Sequence, residues 1–124
     1  MFILSSQEIA QYRSQLALFP DALVALDAIE DCEGNIEDAA LSLAIQVGQQ
    51  PDREDWLDGL AKRCRVDICK TDFRDQLLAG NVAPVVSYLI EMKSCPNVLI
   101  TPAVLYALKS GIETFCEPLS FKLI

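Results

Sequence analysis

Apolar residues recur at intervals of three and four along almost the whole chain, and this spacing predicts helices. The pattern is clearest in residues 5–46, where three short helical stretches are separated by two turns. The first turn contains Leu18, Phe19 and Pro20, and the second has the sequence Cys-Glu-Gly-Asn at residues 32–35. The fold class that follows is all-α, a compact bundle of six or seven short helices that opens with a three-helix unit.

Start and stop signals locate the ends of these helices. Ser5, followed three residues later by Glu8, matches a capping box, so we expect the first helix to begin there. Asn35 is placed to cap the third helix after Gly34 stops the second. Thr101, with a proline directly after it, predicts the start of a long apolar helix.

The chain divides into two predicted units that we expect to share one core. The first spans residues 5–48 and the second spans residues 51–124. In the second unit we expect one helix from Pro51, a shorter one from about Thr71, and a third that is capped by Asn81. The chain has 124 residues and is 52% hydrophobic, which is enough to fill a core at this size.

The two ends of the chain suggest a small ribbon. Residues 120–124 alternate between polar and apolar side chains, which is typical of a strand. Residues 1–4 are mostly apolar, and we expect them to lie beside this tail. A two-stranded ribbon of this kind is only marginally stable alone.

Negative charge is concentrated in the N-terminal part of the chain. The net charge is −8, and residues 1–50 contain eight acidic side chains and a single basic one, Arg13. A surface of this sign repels nucleic acid and anionic membranes and attracts basic partners. We therefore expect no nucleic-acid partner and no membrane partner.

Five cysteines are spread irregularly along the chain, and they are Cys32, Cys64, Cys69, Cys95 and Cys116. An odd number without regular spacing, together with a first segment too short for an export signal, is typical of reduced thiols inside cells. We therefore expect free, mostly packed thiols and a cytoplasmic protein.

The chain contains no histidine, which removes the commonest general base and metal ligand. Neither a Ser-His nor a Cys-His pair is therefore available for nucleophilic catalysis. Cys64 and Cys69 have a C-x4-C spacing, but a structural zinc site needs four ligands and the other cysteines are distant in sequence. The sequence predicts a protein that is not an enzyme and has no catalytic residue, cofactor or metal.

One chemical alternative remains at Cys64 and Cys69. Four basic residues lie between positions 62 and 70, and positive neighbours lower the pKa of a thiol. The C-terminal end of a helix acts in the opposite direction, because the helix dipole disfavours negative charge there. A thiol-based redox or regulatory protein that uses Cys64 and Cys69 is therefore an alternative function.

The N-terminal third resembles a known family of binding domains. The turn at residues 18–20 is similar to the Met-Phe-Pro turn of CUE domains. The sequence Gly-Asn-Ile-Glu-Asp-Ala-Ala at residues 34–40 resembles the motif that opens the third helix in the ubiquitin-associated UBA and CUE group. The resemblance covers residues 5–47, and the chain from residue 51 onwards resembles no family that we can name.

The resemblance implies a binding surface as well as a fold. Domains of this group bind ubiquitin through the turn after the first helix and through the end of the third helix. The matching positions here are Leu18, Phe19, Pro20, Ala44 and Ile45. They are our candidate partner-binding residues.

The function that we expect is that of a small, non-catalytic protein–protein interaction or adaptor protein in the cytoplasm, whose protein partner is unknown. A second alternative, besides the thiol-based one, is a structural subunit that forms a homodimer or larger homo-oligomer. The helix predicted after Asn81 has apolar residues around much of its circumference, and such a helix is buried on most sides. We therefore expect it to lie either at the centre of the fold or at a dimer interface.

Overall fold

Nine α-helices make up the parts of the chain that the computed structural model describes, which are residues 2–51 and 55–122, with side chains to residue 119. The helices are Ser6–Gln15 (α1), Pro20–Asp31 (α2), Ile36–Gln46 (α3), Trp56–Arg63 (α4), Arg65–Ile68 (α5), Thr71–Leu78 (α6), Ala83–Met92 (α7), Asn97–Ser110 (α8) and Ile112–Lys122 (α9). The all-α prediction is confirmed. The helices outnumber the predicted six or seven because α5 is a separate single turn and Gly111 separates α8 from α9.

Local capping determines where α1 and α3 begin. The Ser5 hydroxyl accepts a hydrogen bond from the Glu8 backbone N–H at 3.1 Å, and the Ser5 N–H donates to the Glu8 carboxylate at 3.0 Å. The Asn35 side-chain oxygen accepts from the N–H of Asp38 at 3.0 Å. Each contact satisfies a backbone donor that the helix itself leaves unpaired. The predicted capping box and the predicted Asn35 cap are both confirmed.

The first residues pack against the turn between α2 and α3. Ile3 forms an isolated antiparallel bridge with Asn35, and the Leu4 N–H donates to the Gly34 carbonyl at 2.9 Å. Gly34 has a φ of 88°, and a Cβ there would collide with the carbonyl oxygen of Leu4. Only glycine therefore fits this position without moving the backbone.

This arrangement corrects the prediction of a terminal ribbon. Residues 112–122 are helical, so the described part of the tail is not a strand. Residues 123 and 124 lie outside the described residues, as does Met1. The prediction failed because a pattern of five residues is too short to distinguish a strand from the end of a helix.

The helix α8 lies at the centre of the molecule and contacts α2, α3, α4, α7 and α9. Eight of its residues are buried, and they are Leu99, Ile100, Thr101, Pro102, Ala103, Val104, Leu105 and Ala107. The prediction that this helix starts at Thr101 is wrong, since it starts at Asn97 and contains Pro102 in its interior. An internal proline removes one helical hydrogen bond, and the surrounding apolar contacts offset that loss.

Buried apolar side chains form one continuous cluster that reaches through both predicted units. Leu26 and Leu43, from the first unit, belong to the same cluster as Leu60, Leu89 and Leu105 from the second. Among these five, none is more than 4% exposed. The helices α2 and α3 thus bury their apolar faces against α8 as well as against each other.

The second unit differs from prediction at two helix starts. The helix expected from Pro51 begins at Trp56, and residues 52–54 lie outside the described residues.

Asn81 does not cap α7, because its amide donates to Gln76. The side chain of Gln15 in α1 supplies the cap, accepting from the Val82 N–H at 2.9 Å and donating to the Gly80 carbonyl at 3.0 Å. The helix predicted from Thr71 is confirmed.

A disulfide joins Cys69, which follows α5, to Cys116 in α9, with their Cα atoms 5.7 Å apart. The structure therefore contradicts the expectation that all five cysteines are free thiols. The two residues are separated by 47 positions, and α9 must fold back over α5 and α6 before they meet. No spacing rule in the sequence reports such a contact.

Candidate functional site

The turn between α1 and α2 presents an apolar side chain to solvent. Leu16 ends α1 and is buried, and Phe19, half-buried, packs against the core as the first residue before α2. Between them Leu18 is 89% exposed, and Pro20 at the start of α2 is also exposed. The turn geometry therefore holds Phe19 inward and directs Leu18 outward.

The end of α3 presents a second exposed apolar group. Ile45 is 66% exposed, and Val47, the residue after the helix, is exposed as well. Ala44 is fully buried, so its prediction as a partner-binding residue is wrong. It lies on the same face as Ala40, one helical turn earlier, whereas Ile45 is rotated by about 100° to the solvent face.

Residues next to each of these two segments lie close to the start of α8. The side-chain amide of Asn97, the first residue of α8, donates to the Asp21 carboxylate at 3.2 Å, next to the α1–α2 turn. Gln49, shortly after α3, lines a cavity together with Cys95 and Pro96, which precede α8. We refer to Leu18, Pro20, Ile45 and Val47 as the apolar end surface.

The α3 part of the apolar end surface is uncharged, whereas Asp21 directly follows Pro20 in the other part. Residues 39–51, which include the end of α3, contain no charged side chain. Arg13, the single basic residue of the first 50, is held by ion pairs to Asp27 at 2.7 Å and Glu30 at 2.9 Å. The α3 part of this surface is therefore apolar within a molecule whose net charge is −8.

The cavity beside this surface contains two cysteines. It has a volume of about 260 Å³ and is lined by Gln49, Trp56, Leu60, Arg63, Cys64, Asp67, Ser94, Cys95, Pro96 and Leu99. Cys64 ends α4, and Cys95 lies in the loop before α8. A hydrogen bond from the Cys95 thiol lowers the pKa of Cys64. The same contact raises the pKa of Cys95, and burial raises it further.

The cysteines that lie together in the structure differ from the predicted pair. Cys64 and Cys69 were the predicted pair, but Cys69 is bonded to Cys116 and Cys64 lies beside Cys95. Cys32 is a third free thiol at the end of α2. Its pKa is raised by burial first and then by nearby Asp38 and Asp31. The sequence alone does not predict that Cys64 and Cys95 line the same cavity, because 31 positions separate them.

Two further findings concern metal binding and membrane crossing. Within residues 2–51 and 55–122, no group of three or more cysteine, aspartate or glutamate side chains is arranged to hold a metal ion. Across the same ranges, no single helix is both long and apolar enough to cross a bilayer. The helices α8 and α9 reach the required length and composition only together, and they meet at a bend of 96°.

Comparisons with protein-family models, with curated proteins and with solved structures find no match to this chain. Two features of the chain itself bear on its function, the apolar end surface and the cavity lined by Cys64 and Cys95.

Proposed function

We propose that this protein is a small, non-catalytic interaction or adaptor protein that binds a basic protein partner through the apolar end surface. The observation that carries the proposal is the 89% exposure of Leu18 at the tip of a turn whose neighbours Leu16 and Phe19 pack inward. Burying one leucine side chain contributes roughly 1.5–3 kcal/mol. Leu18 and Ile45 together would therefore contribute roughly 3–6 kcal/mol to binding, and further contacts must add to this because association itself costs a comparable or larger amount.

The charge of the molecule supports the choice of a basic partner. The net charge is −8, and the N-terminal 50 residues hold eight acidic groups against one basic group. A field of this sign speeds the encounter with a basic protein and slows the encounter with a second copy of the same chain. The uncharged residues 39–51 then allow apolar contact without burying a charge.

The family resemblance points to the same surface. In UBA and CUE domains the partner contacts the turn after the first helix and the end of the third helix. The equivalent exposed residues here are Leu18, Pro20 and Ile45. A cytoplasmic location stays a prediction, and the Cys69–Cys116 disulfide weighs against it, because such bonds are rare in reducing compartments.

The test is a capture experiment followed by reconstitution. The wild-type chain is immobilised and exposed to lysate of the native host, and the captured protein is identified, purified and titrated against the wild type and variants. We expect a basic partner whose affinity falls about tenfold or more in Leu18→Ser and Ile45→Ser, because each loses a buried apolar anchor. We expect its association rate to fall as salt is raised.

Val66→Ser is the matched control. Val66 is 65% exposed and Ile45 is 66% exposed, but Val66 lies in α5, outside the apolar end surface. Its substitution should leave the affinity unchanged. Equal affinities for wild type, Leu18→Ser and Ile45→Ser would contradict the proposal. Self-association as the only interaction, measured by light scattering, would replace it with the homo-oligomer alternative.

A further inference from the structure

The cavity between α4, α5 and the loop before α8 places two free thiols side by side. Cys64 is 4% exposed and Cys95 is half-buried, and both line the same space of about 260 Å³. The neighbouring disulfide leaves them free, because it engages Cys69 and Cys116. Two free thiols that line the same cavity are arranged for exchange with a disulfide that enters it.

We infer that Cys64 and Cys95 form a dithiol site that is oxidised to an internal disulfide by low-molecular-weight disulfides carrying both amino and carboxylate groups. This inference is independent of the proposed docking function. It differs from a Cys64–Cys69 redox pair, since Cys69 is bonded elsewhere.

Cys64 is the attacking residue. The hydrogen bond from Cys95 favours the thiolate of Cys64, and the charge of nearby Arg63 acts in the same direction. Burial and Asp67 oppose this effect, but they do not reverse it. The thiolate is the nucleophilic form of cysteine, so the first bond is expected to form at Cys64.

The reaction proceeds in two exchanges. The Cys64 thiolate attacks one sulfur of the entering disulfide, breaking its S–S bond, and the departing thiolate takes up the proton that Cys64 has lost. The Cys95 sulfur, giving its proton to the second leaving group, then attacks the sulfur of Cys64 and releases the other thiol. The protein dithiol has lost two electrons and two protons, and the small disulfide has become two thiols.

The charges that line the cavity select the class of substrate. Arg63 offers a guanidinium to a carboxylate, and the Asp67 carboxylate, which already pairs with Lys70 at 3.7 Å, can accept from a second ammonium group. Trp56 and Leu60 add apolar side chains to the lining of the cavity. A disulfide with both charged groups satisfies both side chains, whereas a neutral disulfide satisfies neither.

The experiment incubates the full chain with oxidised glutathione, blocks the remaining thiols and maps the peptides by mass spectrometry. Trypsin cleaves after Arg65, between Cys64 and Cys69, so a bond at either residue is assigned without ambiguity. We expect a Cys64–Cys95 disulfide without a retained glutathionyl group. We also expect it to form at least about tenfold faster than glutathionylation of Cys32, whose thiolate is disfavoured.

Two variants and one alternative probe sharpen the result. Cys95→Ser should keep a glutathionyl group on Cys64, because the second exchange is lost, and it changes a half-buried residue rather than a buried one. Arg63→Gln should slow the reaction with glutathione disulfide more than the reaction with the neutral hydroxyethyl disulfide. Both reactions lose a charge that favours the Cys64 thiolate, but only the first also loses a contact to a carboxylate. Exclusive labelling of Cys32, or a wild-type chain that retains both free thiols, would overturn the dithiol site. Equal rates with the two disulfides would overturn its substrate class.

Discussion

The two halves of this molecule are held together by different kinds of contact. In residues 5–47, neighbouring residues cap the helices, as Ser5 does with Glu8 and Asn35 does with Asp38. In residues 56–122, two of the stabilising contacts come from distant positions. The disulfide Cys69–Cys116 spans 47 residues, and the cap of α7 is supplied by Gln15 from the other half.

The difference shows two ways in which a short helix becomes stable. A local cap pairs orphan backbone groups wherever the helix lies, and its contribution is about 1 kcal/mol. A long-range link acts on the whole chain, because it restricts the unfolded state, and its contribution grows with the loop that it closes. Loss of one local cap should therefore lower the free energy of unfolding by a small amount, and loss of the disulfide by a larger one.

The largest expected effect is that of removing the disulfide. Closing a loop of this length stabilises a protein by about 4 kcal/mol in the chain-entropy model. Urea unfolding with and without dithiothreitol measures this difference, and Cys116→Ser should reproduce it in the oxidised buffer. Cys32→Ser is the control, since Cys32 is a free thiol. An unfolding midpoint that does not respond to dithiothreitol would show that the bond contributes nothing.

A core substitution in the first half should come next. Leu43 is 1% exposed and belongs to the cluster that α8 covers. Leu43→Ala should lower the free energy of unfolding by about 3 kcal/mol, since it leaves a cavity among packed side chains. Ile45→Ala, two residues later on the exposed face, should change it little. If the two variants unfold at the same urea concentration, the assignment of the buried face of α3 is wrong.

The smallest expected effect is that of a single cap. Asn35→Ala should cost about 1 kcal/mol, because the Asp38 N–H loses its acceptor. Asn81→Ala serves as the comparison, since the Asn81 amide contacts Gln76 instead of capping a helix. Its change should be smaller in the same thermal unfolding experiment. A larger loss for Asn81→Ala than for Asn35→Ala would reverse the contrast between the two halves.

The same contrast explains how much of the fold could be predicted from the sequence. The starts of α1 and α3 were predictable because Ser5, Glu8 and Asn35 lie within three residues of the groups that they satisfy. The start of α8 was not, because a Thr-Pro pair looks the same at a helix start as inside a helix whose burial offsets the lost hydrogen bond. The Gln15 cap was equally invisible, since it acts across 67 positions.

The candidate sites follow the same rule. The exposure of Leu18 and Ile45 agrees with positions that the family resemblance pointed to, whereas Ala44, one residue before Ile45, is buried. Adjacent helical residues face directions about 100° apart, so a motif position alone does not determine exposure. The partners of Cys64 and Cys69 depend on how α8 and α9 pack, and no local pattern reports that packing.

The central position of α8 has a consequence for the order of folding during synthesis. The ribosome produces α2 and α3 well before residues 97–110, which cover their apolar faces in the finished molecule. Until then Leu26 and Leu43 have no α8 to pack against, and a nascent chain in this state is prone to aggregation. Native contacts between such distant segments also slow folding. Ribosomal pausing before α8 should therefore lower the yield of folded protein more than pausing after it.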